Sequence, residues 1–251
     1  MITLASDFGS PYPAAMKGVV CRRSDARIED VAHDLPRQDV RAAAFWLTQT
    51  LPYFPPAVHC AVVDPGVGTD RSALVVRAGD HALVGPDNGV LLPAARELAD
   101  EVEVFRWAYE DPESSTFHGR DVFAPAAATV HNHGVAGLDE LPRTARTDSF
   151  VDLWFPDPTV NRDGARGEVL VVDDFGNAIT NVSGEELAAH TDETVTVNGR
   201  RAPVRRAYAG VEAGEPVVTV GSHGNVELAV NRGRGDDAFD VSPGDAVELR
   251  W

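Results

Sequence analysis

Val58-His59-Cys60-Ala61-Val62-Val63 is an apolar run that passes straight into Asp64-Pro65-Gly66-Val67-Gly68-Thr69-Asp70-Arg71. The first part reads as a strand with two apolar faces, the second as an Asp-Pro-Gly turn leading to an arginine. The same rhythm recurs on both sides. Upstream, Ile2 to Ala5 is a short apolar strand that stops at Asp7-Phe8-Gly9. Ala14 to Arg22 then reads as a helix, and Asp39 to Leu51 carries apolar residues at helical spacing until Pro52 and Pro55 close it. Downstream, Leu74 to Arg77 and His81 to Val84 read as strands, the latter ending at Gly85-Pro86-Asp87-Asn88-Gly89, and Leu91 to Ala99 and Val122 to His131 read as helices. This alternation predicts an α/β N-terminal domain over residues 1–150, with a mostly parallel sheet flanked by helices. Ligands of such folds gather outside the carboxyl ends of the strands, where Asp7, Asp64 and Asp87 fall.

The pattern breaks after Pro142 into a stretch rich in Pro, Asp and Arg that includes Phe155-Pro156-Asp157-Pro158, and this places a linker at 151–166. Residues 167–251 differ in kind. Val169 to Val172, Glu193 to Val197, Arg201 to Val204, Val217 to Val220, Val226 to Val230 and Ala246 to Leu249 read as short strands, split by turns such as Asn198-Gly199 and Pro243-Gly244-Asp245. Strands this close together predict a small all-β, barrel-like C-terminal domain.

The 251 residues are 43% hydrophobic, ample for a buried core. Acidic residues number 39 against 22 basic ones, for a formal net charge of -17, and Lys17 is the only lysine. The arginines are scattered from Arg22 to Arg250, so nucleic acid is excluded as a partner by repulsion. A carboxylate-rich, lysine-poor surface stays hydrated in high salt, where screening removes the repulsion, and points to a salt-loving source such as a halophilic archaeon. Cys21 and Cys60 are too few for a disulfide framework and form no Cys-x-x-Cys pair. With no basic leader and no apolar run of about 20 residues, the expectation is a soluble, cytoplasmic protein without a membrane partner.

Thr116-Phe117-His118-Gly119-Arg120-Asp121-Val122-Phe123-Ala124-Pro125 sets a histidine, a cation and a carboxylate around a glycine. With Asp64 and Arg71 it suggests one site: Arg71 holds Asp64 ionised and oriented, and His118 accepts or relays a proton near neutral pH. The same residues also read as an ordinary turn opener with its ion-pair partner and a helix-start histidine. Asp7 at its strand end suits a ribose diol. Its Asp-Phe-Gly context lacks every other kinase signature. Asp173-Asp174-Phe175-Gly176-Asn177-Ala178-Ile179-Thr180-Asn181 offers a carboxylate for an ammonium, a ring for stacking and an amide for a base edge, or else a plain turn. A metal site among Asp7, Asp64, Asp87, His118 and Asp121, or at His131-Asn132-His133, is not expected, because the last of these falls at a helix end where polar side chains meet terminal carbonyls.

Taken in order, Ser6 to Gly9, Val63 to Gly68 with Arg71, Gly85 to Gly89, Thr116 to Pro125, Asp173 to Asn181, and Gly221-Ser222 through Asn231 resemble the S-adenosyl-L-methionine hydroxide adenosyltransferases, the water-using relatives of fluorinase and chlorinase. The resemblance spans nearly the whole chain. It implies an α/β domain followed by a β-barrel-like domain, in a homotrimer whose active sites lie between the N-terminal domain of one subunit and the C-terminal domain of its neighbour. It also implies that Asp64, Arg71 and His118 activate water, that Asp7 binds the ribose, that Asp173 and Ser222 surround the methionine ammonium, and that Phe175 and Asn177 line the adenine pocket. The halogenating relatives lack the aspartate at position 64, which favours water over halide. His223 stands where they carry arginine, and Asn225 where an aromatic residue is frequent. The implied reaction is hydrolysis of S-adenosyl-L-methionine to adenosine and L-methionine without metal or cofactor. The rival readings are a halide-using, chlorinase-like adenosyl transferase and a non-catalytic adenosine or S-adenosyl-L-methionine sensor.

Overall fold

A computed structural model describes residues 1–251. The chain forms two compact units, Met1–Trp154 and Phe155–Trp251. The first contains β1 (Ile2–Ser6), α1 (Tyr12–Cys21), β2 (Ile28–Ala32), α2 (Val40–Thr50), β3 (Val58–Val62), β4 (Ala73–Ala78), β5 (His81–Pro86), α3 (Leu92–Leu98), β6 (Val102–Trp107), α4 (Ala124–His133) and β7 (Thr144–Arg146). The strands make one sheet in the order β2-β1-β3-β5-β4-β6-β7.

The expectation of a mostly parallel sheet is corrected here: the sheet is mixed. β2, β1, β3 and β5 run parallel, whereas β5-β4, β4-β6 and β6-β7 are antiparallel pairs. The cause lies between Ala78 and His81, which are register partners joined only by Gly79-Asp80. So short a loop can connect only antiparallel strands, and Gly79 supplies the positive φ of +56° that it needs. Two candidate carboxylates leave from the parallel half. Ser6 pairs with Val62, so Asp7 and the Val63-Asp64 step leave the sheet at the same edge.

Alternate side chains of the sheet, Ile2 and Leu4, Val58, Cys60 and Val62, pack against Met16 and Val20 of α1 and against the alanine-rich α4. α2 and α3 pack on one another, and α3 also meets β4. Asp39 caps α2 by accepting from Ala42 N–H at 2.9 Å. No helix is long and apolar enough to cross a membrane.

The second unit contains β8 (Thr159–Asn161), β9 (Gly164–Val172), β10 (Ala178–Ser183), α5 (Gly184–Leu187), β11 (Thr194–Val197), β12 (Arg200–Pro203), β13 (Pro216–Val220), β14 (Asn225–Val230), α6 (Gly235–Phe239) and β15 (Ala246–Arg250). Its antiparallel sheet runs β12-β11-β15-β9-β10-β14-β13, with β8 paired to β9. A bridge between Val204 and Val218, with Arg205 N–H donating to Val218 O at 3.0 Å, nearly closes it into a barrel around Val169, Val195, Val226, Leu228 and Val247. The segment 151–166, expected as a linker, already carries β8 and the start of β9. Asn198-Gly199, both at positive φ, makes the tight β11-β12 hairpin.

Candidate active site

Asp64 leaves β3 into a doubled turn. Val67 N–H donates to Asp64 O at 3.2 Å, and Thr69 closes on Gly66 O through both N–H (3.1 Å) and hydroxyl (2.7 Å). Gly68, at φ +78°, lies so close to Ser115 O that a Cβ would stand 2.7 Å away. The chain therefore folds back and returns Arg71 over Asp64. Arg71 Nε donates to Asp64 Oδ1 at 2.9 Å and Oδ2 at 3.1 Å, and Nη2 makes a further short bond to Oδ2. The pair is buried, with 3% of the Asp64 side chain exposed and 9% of Arg71, and the Phe123 ring lies 4.9 Å below the guanidinium.

His118 joins the pair from a distant part of the chain. It precedes a turn of π-helix, Gly119–Phe123, that runs into α4. Arg71 Nη2 donates to His118 Nδ1 at 2.8 Å. A guanidinium has only donors, so Nδ1 is the acceptor and the neutral ring carries its proton on Nε2. Burial and then the Arg71 charge push the His118 pKa below the ordinary imidazole value, outweighing Asp64 and Asp121. The ring is thus held neutral, and its proton-accepting nitrogen is already engaged. Of the three groups, Asp64 is the one able to take a proton from a ligand.

Asp7 sits on a braced loop. Gln38, in the left-handed region at φ 58°, donates its N–H to Asp7 Oδ2 at 2.7 Å. Gly9 N–H donates to His33 O at 2.7 Å and Leu35 N–H to Ser6 O at 3.3 Å. Ser6 Oγ meets His33 Nδ1 at 2.8 Å, His33 Nε2 meets Asp30 at 3.0 Å, and Lys17 reaches Asp30. Ser6 is wholly buried, so this Ser-His-Asp run is bracing rather than a nucleophile.

Asp7 and Asp64 open onto one cavity of about 510 Å³, shared with Phe8, Tyr12, Gln38 and Phe117. The aromatic rings meet edge to face, Phe8-Phe117 at 5.7 Å and Tyr12-Phe117 at 5.4 Å. Phe8 and Phe117 lie inside motifs that the sequence singles out but gain no role from it, and Tyr12 lies outside them. A larger hollow of about 620 Å³, beside Arg22, Tyr109 and Arg143, contains neither Asp7 nor Asp64. The remaining candidates do not converge. Asp87 accepts from Val151 N–H at 2.8 Å, Asp121 binds Arg120 and Ser114 N–H, His131 meets the Met1 amine at 2.9 Å, and His133 meets Gly137 O. No group of three or more His, Cys, Asp or Glu side chains is placed to hold a metal ion.

In the second unit, Asp173 is gripped by Asn177, N–H to Oδ1 at 2.8 Å and Nδ2 to Oδ2 at 3.0 Å. Gly176 at φ +85° turns the chain between them, and Phe175 projects with 80% of its surface exposed. This turn enters β10 at Ala178, paired with Leu228, whereas exposed Ser222 lies on the β13-β14 turn, beyond the pairing of Ser183 with Asn225. The two turns thus flank the β10-β14 pair at opposite ends.

Fold and cavity together define a class: an α/β unit with an Asp-Arg-His network at the ends of parallel strands, followed by a barrel-like β unit. The chain belongs to the SAM hydroxide adenosyltransferase family, matching its N-terminal domain over residues 2–139 and its C-terminal domain over 167–248. It is 41% identical to an (R)-S-adenosyl-L-methionine hydrolase of Salinispora tropica, over 99% of this chain and 97% of that protein. A protein of the same name from Thermus thermophilus is 43% identical, over 97% of both. An uncharacterized conserved protein of Thermotoga maritima superposes with a TM-score of 0.86 at 35% identity over the whole of both chains.

Proposed function

We propose that this protein hydrolyses S-adenosyl-L-methionine to adenosine and L-methionine. The observation that carries the reading is Asp64, paired with Arg71 and facing the same cavity as Asp7. A water oxygen attacks C5′ in line with the sulfonium. As the new C–O bond forms, the C5′–S bond breaks with its electron pair going to sulfur, and the water proton passes to Asp64 and then to solvent. The leaving thioether is neutral and stable, so the protein's task is orientation and proton removal. In favourable cases these supply about 7–11 kcal/mol and roughly 10²- to 10⁴-fold respectively.

Arg71 keeps Asp64 turned to the cavity, and neutral His118 holds Arg71 from behind. Asp7, with Oδ2 fixed by Gln38, receives the ribose diol. Asp173 and Ser222 take the methionine end, and Phe175 and Asn177 the adenine. These four belong to the second domain, and we assign them to a neighbouring subunit of a homotrimer, as the family resemblance implies. The exposed Phe175 ring is accessible to such a neighbour. No nucleic-acid or membrane partner enters this scheme.

The deciding test is S-adenosyl-L-methionine incubated with the protein in molar potassium chloride and oxygen-18 water, followed by chromatography with mass detection. Adenosine carrying the heavy oxygen, together with methionine, is expected. A 5′-chloro-5′-deoxyadenosine would replace water by halide in the reading, and tight binding of an unchanged ligand would make the protein a sensor.

A further inference from the structure

The turn between β13 and β14 is wired more heavily than its length requires. Gly221 N–H donates to Asn225 O at 3.0 Å, Gly224 N–H to Gly221 O at 3.0 Å, and Gly184 N–H to Gly224 O at 2.7 Å. Asn225 Nδ2 reaches Thr180 O at 2.8 Å. His223 lies inside this wiring, its side chain only 7% exposed. Its Nδ1 meets Asn225 N–H at 3.2 Å and Asn225 Oδ1 at 3.3 Å, and its Nε2 meets Glu227 Oε2 at 3.3 Å. A carboxylate only accepts, so Nε2 carries the proton toward Glu227 while Nδ1 accepts from Asn225 N–H, and both nitrogens are engaged.

Glu227 is itself buried, on β14 between the Asp173 and Ser222 turns, and its other oxygen accepts from Tyr208 Oη at 2.6 Å. Burial and the Glu227 carboxylate raise the Tyr208 pKa, which keeps the phenol a donor. The network leaves no room at Gly221, where a Cβ would collide with His223 Nε2 and Glu227 Oε2. Ser222, between Gly221 and the buried His223 side chain, stands exposed at the tip.

We propose that His223, held by Glu227 and Tyr208, is a positioning residue that fixes the Gly221–Gly224 turn and so sets where Ser222 meets the amino-acid half of the substrate. The inference rests on the role given to Ser222 above. His223 is then no stand-in for the arginine of the halogenating relatives. It braces the backbone and leaves the ligand contact to its neighbour.

The test is Glu227→Gln, because a buried carboxylate can influence the ligand only through its partners. Loss of one charged acceptor should raise the KM for S-adenosyl-L-methionine roughly tenfold. The Kd for adenosine, which lacks the amino-acid half, should move by less than about twofold. His223→Ala should give the same pattern. Tyr208→Phe should give a weaker version and serves if the Gln variant does not fold. A raised KM in His223→Ala with no change in either Glu227→Gln or Tyr208→Phe would mean direct contact by His223 and overturn the proposal. A parallel rise in adenosine Kd would mean collapse of the unit and would overturn it equally. Wild-type protein that forms no adenosine would remove the hydrolase reading itself and this inference with it, a result separable from any behaviour of the variants.

Discussion

At the scale of single residues, the decisive fact is that an arginine and a histidine share a bond in which only the arginine can donate. In the proposed reaction this gives proton acceptance to Asp64 and leaves His118 as a neutral support. Asp64→Asn should therefore lower kcat by about 10²- to 10⁴-fold while adenosine binding persists. His118→Gln, whose side-chain oxygen can still accept from Arg71, should lose less than about tenfold. Steady-state rates and calorimetric titration of adenosine check both, and a His118→Gln variant as inert as Asp64→Asn would return the base to the imidazole. The pH profile follows with a definite sign. The working form of His118 is the neutral one, and its pKa is pushed down by burial and Arg71. Hence kcat/KM should stay flat from alkaline pH to about 6.5, the ordinary imidazole value, and fall only below it. An inflection above that point that vanishes in His118→Gln would contradict the assignment. The motifs make Asp64, Arg71 and His118 legible as a set, but not the direction of the proton. That depends on how the returning turn brings Nη2 onto Nδ1, which no local pattern encodes.

At the scale of elements, β3 leads into Asp64 at one end and joins β5 in a different histidine arrangement at the other. Thr3 Oγ1 meets His59 Nδ1 at 2.8 Å, and His59 Nε2 meets His81 Nδ1 at 2.9 Å, with the two rings stacked. Burial, helped by the charge of His81, pushes the His59 pKa down to about 3. Protonation therefore favours the unfolded chain, so the stability His59 contributes is complete above about pH 6.5 and is lost as pH falls toward 3. The slope is at most about 1.4 kcal/mol per pH unit, or about 2 kcal/mol between pH 6.5 and 5. Urea unfolding at pH 7.5 and 5 should show this loss, and His59→Val should flatten it. An equal loss in the variant would place the acid sensitivity elsewhere. The turn of π-helix offers a second check. A Cβ on Gly119 would stand 2.7 Å from the Phe8 ring and 3.2 Å from Met16 Sδ. Gly119→Ala should thus cost about 1–3 kcal/mol by overpacking and disturb the cavity wall, read as a lower urea midpoint and a weaker adenosine Kd. Long amphipathic elements such as α2 and the runs at β1 and β3 are legible because burial writes its period into the sequence. The antiparallel half is legible only in part, since Leu74 to Arg77 reads as a strand but β6 and β7 go unread and nothing in the pattern joins β4 to β5 as a hairpin across Gly79-Asp80. β10 is hidden likewise, because Asp173 to Asn181 looks like one turn although its second half is a strand.

At the scale of the whole molecule, the governing quantity is the net charge of -17, which no single ion pair offsets. Several of the pairs present, such as Arg27-Glu29, Arg143-Glu110 and Arg250-Glu248, lie on the surface, where each contributes about 0–1 kcal/mol and is screened by salt. Self-repulsion among the unpaired carboxylates opposes compaction, and it would oppose the proposed trimer still more, since that assembly would bring three such charges together. Raising ionic strength to about 1 M shortens the Debye length to about 3 Å and removes most of this opposition while leaving the buried Asp64-Arg71 pair intact. Melting temperature and sedimentation mass should therefore both rise between about 0.1 M and about 2 M potassium chloride, and hydrolytic activity should rise with the mass, because the proposed sites draw on two subunits. The cause can be isolated by replacing potassium with a bulky organic cation at equal ionic strength. Screening predicts the same gain from either salt, whereas bound potassium would favour only the first. A protein that is folded, trimeric and fully active at low salt would refute the electrostatic argument. A monomer with full activity would refute the shared site as well, for then one chain would have to supply both the Asp7-Asp64 cavity and the Phe175 ring to the same ligand.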